Sequence, residues 1–261
     1  NHITGLGVAF TNRGLGAAAL RIFLRAFYRL ALGRSQVIFQ NPDDRAAFLA
    51  LGLIDPQRAS LIRSSGVDLA RFSPLPEPAG ISAVVLPARM LWAKGVGDFV
   101  QAAQILKNRG VSARFILAGD ADPGNPSGVP EEQLKAWQAD GWVEWWGWQE
   151  DMPAVYTQVN LVCLPSLGEG VPRSLLEAAA CARAIVATDV PVCREIVRHE
   201  ENGLLVPPRD PAALADALER LLADPQARQR MGAAGRALVE KDFAVEKVIA
   251  DTITVFDKLL P

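Results

Sequence analysis

Residues 165–197 read PSLGEGVPRSLLEAAACARAIVATDVPVCREIV, and the order of local signals around them decides the fold. The run VNLVCLP that ends at Pro165 is continuously apolar and predicts a buried strand. SLGEGVP is loop chemistry, and SLLEAAACA predicts a helix. Pro172 falls at or near the first helical turn, where a missing N–H costs nothing. The free amides of that turn then face whatever lies above the carboxyl end of the strand, which is an anion site by geometry. Glu177 lies about one turn into the helix, within reach of a neutral diol beside such an anion, and Glu169 lies in the loop on the approach. A phosphate below with hydroxyls at both carboxylates suits a sugar nucleotide. Two glutamates at this spacing also occur by chance in many globular chains, so the reading depends on their neighbours.

Those neighbours are specific. EGVPRSLLEA is followed by IVATDVPVCREIV and then by NGLLVPPRDPAALADAL. In this order and at these separations, the segments resemble the donor-binding half of family 4 glycosyltransferases of the GT-B fold, over roughly residues 60 to 240. Upstream, SAVVLPARMLWAKGVGDFVQAAQILKNRG reads as a buried strand, a loop with Arg89 and Lys94, and an amphipathic helix. Basic groups again appear where a strand hands over to a helix, the edge of an α/β sheet at which ligands bind. The segment resembles the family's Arg-loop-Lys-Gly motif, whose cations contact the nucleotide diphosphate. Arg89 offers a planar fork of donors and Lys94 a point charge, and the resemblance implies that together they would neutralise a leaving diphosphate without a metal.

The resemblance extends to other positions. Gly119-Asp120-Ala121-Asp122-Pro123-Gly124-Asn125-Pro126 is similar to a segment of the subset that assembles lipid-linked oligosaccharides and surface polysaccharides. Asp120 and Asp122 form a D-x-D, but a strand-end Asp in a Gly/Pro loop needs no ion, and no metal site is assigned. Gly147 and Trp148 lie where family members hold the nucleotide base, so Trp148 is a candidate wall of that pocket. Trp142, Trp145 and Trp146 beside it fit packing equally well. Ala182 and Val192 stand where the family usually has glycine, which puts loop geometry and acceptor fit in doubt more than donor binding.

The opening 35 residues contain no Asp or Glu, the first acid being Asp43. Arg21, Arg25 and Arg29 recur every four residues, with Leu20, Phe23, Leu24, Phe27, Leu30 and Ala31 as apolar surface around them. Such a basic amphipathic helix suits an anionic membrane leaflet, although a solvated arginine face has the same pattern. His2 is a candidate acceptor-side residue by loose resemblance, since family members often keep a histidine near the end of a strand in the first domain. GLGAAA at Gly14 matches a dinucleotide fingerprint, but it follows no strand and has no acid about twenty residues on. A nicotinamide-dependent oxidoreductase is disfavoured accordingly.

Composition is that of a soluble globular protein, with 261 residues, 50% hydrophobic and 21% charged, and a net charge of −2 gives no global attraction to nucleic acid. Cys163, Cys181 and Cys193 form no CxxC pair, which fits buried thiols in a reducing cytoplasm. No apolar run is long enough to span a bilayer. The chain opens on Asn1, so the true N-terminus is expected upstream and targeting is left open.

The expected architecture is α/β of GT-B type. A partial first Rossmann-like domain covers 1–75, a nucleotide-sugar-binding domain with a parallel sheet covers 76–245, and a terminal helix over 246–261 crosses back to the first domain. Pro-rich LPEPAGISA is read as the linker, with a boundary near Pro76. From Pro225 onward the tail is expected to be helical throughout. The resemblance implies a retaining, metal-independent transferase without cofactor. It would move a hexose or N-acetylhexosamine from a nucleotide sugar, a UDP-sugar above others, to a saccharide acceptor carried on undecaprenyl, in polysaccharide or O-antigen biosynthesis. The implied site is Arg89, Lys94 and Glu169 for catalysis, and these with Gly170, Val171, Pro172 and Glu177 for the donor. The alternative is a fragment that binds nucleotide sugar without transferring it, because the first domain's Gly-rich loop is not found in these residues.

Overall fold

The computed structural model describes residues 2–3, 27–28, 30–32, 35–63, 65–74, 76–168 and 172–257. Arg21, Arg25 and Arg29, the face expected to meet a membrane, lie outside them. Two compact units divide the chain: Asn1–Gly66 with Phe243–Pro261, and Val67–Asp242.

The first unit holds a parallel sheet in the order β1 (His2–Ile3), β2 (Val37–Phe39), β3 (Ala59–Leu61). Its register pairs His2 with Ile38 and Val37 with Ala59. Helix α1 (Pro42–Ala50) begins at Asn41, whose side-chain oxygen accepts from the Asp44 amide at 2.7 Å. That cap satisfies a donor the helix cannot satisfy itself. The helix packs Phe48 edge-on against Phe39, with ring centroids 5.2 Å apart.

The second unit is built on six parallel strands. In chain order they are β4 (Ala83–Pro87), β5 (Arg114–Ala118), β6 (Glu144–Gly147), β7 (Leu161–Leu164), β8 (Ala184–Thr188) and β9 (Gly203–Val206). In space they run β6-β5-β4-β7-β8-β9. Strand residues buried on both faces explain the unbroken apolar runs in the sequence. On one face, Val84, Leu86, Phe115, Leu117, Cys163 and Val186 join the core lined by helices α2 (Val96–Asn108) and α7 (Pro211–Ala223). Helices α3 (Glu131–Ala139), α4 (Met152–Thr157), α5 (Arg173–Ala180), α6 (Pro191–Ile196) and α8 (Pro225–Asp242) complete the unit, with α5 packed on α8. The order is that of a doubly wound sheet, in which the chain leaves β4 toward β5 and leaves β7 toward β8. Neighbouring strands whose connections part in this way leave a crevice at their carboxyl ends.

Two expectations are corrected. The division falls at Gly66/Val67 instead of near Pro76, because Phe72 is tied into the second unit, its carbonyl accepting from Arg236 at 2.8 Å and its ring packing edge-on against Tyr156, and the Pro-rich stretch after it is tied there too. Glu77 accepts from Arg228 at 2.8 Å and from Asn160 at 2.9 Å, and Arg183 donates to the Pro76 carbonyl at 2.9 Å. The tail is two helices, α8 and α9 (Val245–Asp257), interrupted at Phe243–Ala244, so the second division falls at Asp242/Phe243 and not after residue 245. Among the described residues, no helix is long and apolar enough to cross a membrane.

Candidate active site

The loop after β4 carries Arg89 and then a short 3-10 turn, Trp92–Lys94. Gly95 follows in the left-handed region at φ 73°, and a Cβ there would stand 2.0 Å from the Pro165 carbonyl oxygen, so no other residue fits. This close approach presses the β4 loop onto the segment after β7. The Leu167 amide donates to the Ala93 carbonyl at 2.9 Å, and the Ser166 hydroxyl donates to the same oxygen at 3.1 Å. Lys94, half-buried, is thereby set beside the segment that leads to Glu169.

The loop after β5 is drawn against the β4 loop in the same way, since a Cβ on Gly119 would stand 1.9 Å from the Ala88 oxygen. Asp120 and Asp122 are both engaged. The Asp120 carboxylate accepts from the Trp148 amide at 2.8 Å, and Asp122 pairs with the Arg89 guanidinium at 3.0 Å. Gly147, at the end of β6 with φ 64°, turns the chain so that Trp148 stands 70% exposed. Trp145 and Trp146 pack instead. The Trp145 indole donates to the Gly119 carbonyl at 2.8 Å, and Trp146 lies under Arg114 and donates to Glu144 at 3.1 Å.

Pro172 is buried and caps α5, and no described side chain accepts from the helix's first amides. One turn on, Glu177 is half-buried, with the Tyr156 hydroxyl donating to its carboxylate at 3.2 Å. Burial pushes the Glu177 carboxyl above its ordinary value, while the Tyr156 hydrogen bond and the charges of Arg173 and Arg71 pull it back.

These loops and α5 enclose a cleft of about 610 Å3 at the carboxyl edge of the sheet, where the β4 and β7 connections part. Arg89, Trp148 and Glu177 all line it, and the sequence singled out each of them. Arg173, Ser174, Gln149 and Met152 line it as well and were missed. For Arg173 and Ser174 a signal existed, since they directly follow Pro172 where the helix opens. Lys94 stands outside the described lining. Glu169, Gly170 and Val171 lie outside the described residues, and His2 is placed in β1 with its side chain undescribed. A cleft with an arginine fork, an exposed indole and a half-buried carboxylate near open helix amides can hold an anion, a flat ring and a diol together.

Solved structures define the class. The chain superposes on sucrose-phosphate synthase from Thermosynechococcus elongatus with a TM-score of 0.80 at 25% identity, over 99% of this chain and 67% of that one. On HepE of Anabaena, crystallised with UDP and glucose, the TM-score is 0.74 at 24% identity, over 90% of this chain and 68% of that one. The fold is GT-B. The chain belongs to the family described as glycosyl transferases group 1, whose model matches residues 82–224. Among its relatives is the N,N'-diacetylbacillosaminyl-diphospho-undecaprenol alpha-1,3-N-acetylgalactosaminyltransferase of Campylobacter jejuni. It is 30% identical over a 240-residue alignment that covers 87% of this chain and 61% of that enzyme. The chain thus spans less than two thirds of that relative's length.

Proposed function

We propose that this chain binds the donor of a retaining glycosyltransferase that moves a hexose or N-acetylhexosamine from a UDP-sugar to an undecaprenyl-linked saccharide, in polysaccharide biosynthesis. The observation that carries the reading is the convergence of Arg89, Trp148 and Glu177 on one cleft where the sheet's connections part. Arg89, with Lys94 further along the same loop, stabilises charge on the leaving diphosphate, which is the part of the reaction where fixed cations lower the barrier most. No metal or cofactor is required by this scheme. Glu177 accepts from the ribose hydroxyls, Trp148 covers the base, and Glu169 with the Gly170, Val171 and Pro172 backbone places the sugar. The name of the Campylobacter relative supplies the choice of acceptor and of N-acetylgalactosamine as the first sugar to test.

Calorimetry with UDP and UDP-N-acetylgalactosamine tests the donor site. Arg89→Ala and Glu177→Ala are each expected to weaken binding about tenfold or more while the domain stays folded, the loss typical of a hydrogen bond to a charged group. Unchanged affinity in both variants removes the assignment. A turnover assay with lipid-linked acceptor in anionic vesicles separates transfer from binding alone. In the same assay, salt-sensitive association of the chain with the vesicles tests the surface role of Arg21, Arg25 and Arg29.

A further inference from the structure

Arg173 is the first residue of α5, is exposed, and lines the cleft with Arg89 and Glu177. The helix's unsatisfied amides give that end a partial positive charge, so a cation there is locally unfavourable. Elsewhere in the second unit, several arginines are answered by carboxylates, although Arg71, Arg209 and Arg230, like Arg173, form no ion pair with a described residue. Arg114 meets Glu144 at 2.7 Å, Arg220 meets Glu200 at 2.5 Å and Arg228 meets Glu77 at 2.8 Å. Even Arg89, which lines the same cleft, has Asp122. Arg173 has no ion pair among the described residues, although its charge reaches Glu177. A basic side chain set against the helix dipole, at the wall of a cleft and without an ion pair to a described residue, is a local conflict of the kind that marks a functional position. A bound anion resolves it, because the same anion is attracted by the guanidinium and by the helix amides.

We propose that Arg173 binds the diphosphate of the nucleotide donor, as a third basic contact beside Arg89 and Lys94. This rests on the donor reading above and extends it, because it makes the diphosphate the group answered from two of the elements that line the cleft. The uridine is left to Trp148 and Glu177.

The test is calorimetric titration of the full chain with UDP, at low and high salt, for the wild type, Arg173→Gln, Arg173→Lys and Glu177→Ala. Arg173→Gln is expected to weaken UDP about tenfold at low salt, with the gap narrowing at high salt, and Arg173→Lys is expected to recover part of the loss. The loss should be smaller for UMP, which carries one phosphate fewer. Arg173→Gln binding UDP as the wild type does, while Glu177→Ala binds it more weakly, overturns this inference and leaves the donor reading standing. A loss that ignores salt and is equal for UDP and UMP also overturns it, as it would report a change of local structure. A wild-type chain that fails to bind UDP overturns the donor reading and this inference with it.

Discussion

The two edges of the six-stranded sheet are built to opposite rules. At the amino edge, polar groups are buried and answered. Asn160, just before β7, accepts from the Ala83 amide at 2.9 Å and donates to Glu77. Arg183, just before β8, is 1% exposed and donates to the carbonyls of Tyr156 and Pro76. Arg228 donates to both Glu77 oxygens and to the Leu221 and Leu222 carbonyls that end α7. At the carboxyl edge, Arg173 and Trp148 project into a cleft, Arg89 holds a single exposed ion pair, and burial works against the charge of Glu177. The difference teaches where a ligand belongs. An edge whose polar groups satisfy one another holds the fold, and an edge whose groups are left over holds something else.

The largest effect that would break this contrast is at the amino edge. Glu77→Ala leaves the Arg228 guanidinium, only 5% exposed in its side chain, without its counter-ion. Removing one partner of a buried pair costs about 3–5 kcal/mol, which urea unfolding reads directly. UDP affinity, measured under conditions where the variant is folded, should stay as in the wild type. A small stability loss together with weakened UDP binding would mean that the two edges are not separate in kind.

The same contrast marks what the sequence could reveal. Strands were legible because each is a short apolar run bounded by loop residues, and because parallel strands covered on both faces need no alternation. Arg89, Trp148 and Glu177 were legible because they sit where a strand hands over to a loop or helix, a local feature with a known geometric meaning. The role of Glu77 was not legible. Its partners Asn160 and Arg228 lie 83 and 151 residues away, and nothing local distinguishes it from any charged residue in a Pro-rich linker. Helices α3 and α4 went unassigned because each is short, nine and six residues, and buries either Leu134 alone or the adjacent pair Val155 and Tyr156, so neither prints a helical period. Asp122 read as half of a D-x-D, whereas in the fold it answers Arg89, a pairing 33 residues long that only the packing of two loops creates.

A smaller effect probes Tyr156, which belongs to both edges. Its carbonyl accepts from Arg183 at 2.8 Å, while its hydroxyl donates to Glu177 at 3.2 Å. Burial raises the folded Glu177 carboxyl above its ordinary 4.5, so on raising the pH the unfolded chain gives up this proton first. Stability therefore contains a contribution present below about pH 4.5 that is lost as pH rises through the raised folded value. Tyr156→Phe removes a donor to the ionised form and pushes the carboxyl further up. The decline should extend to higher pH, with about 1 kcal/mol less stability at neutrality. Urea unfolding across a pH series reads this, with Glu177→Gln lacking the contribution altogether. Identical pH profiles for wild type and Tyr156→Phe would separate the phenol from the cleft carboxylate.

The smallest expected effect is a gain, and it lies where α5 runs back from the cleft toward the amino edge. The helix ends in a Schellman turn, in which the Ala182 amide donates to the Ala179 carbonyl at 3.0 Å and the Arg183 amide to the Ala178 carbonyl at 2.9 Å. That turn needs a left-handed residue, and Ala182 has φ 55°. Helices α1, α2 and α3 end in the same pattern with Gly52, Gly110 and Gly141 at φ 61°, 81° and 73°. Alanine in this conformation sets its Cβ against the following carbonyl, so Ala182→Gly relieves strain but adds freedom to the unfolded chain. The balance should favour glycine by about 0.5–1 kcal/mol, seen as a small rise in melting temperature. Donor affinity should not move, because the turn lies beyond the far end of α5 from Arg173. A change in UDP affinity on Ala182→Gly would show instead that the strained turn sets the pitch of α5, and with it the height at which Glu177 enters the cleft.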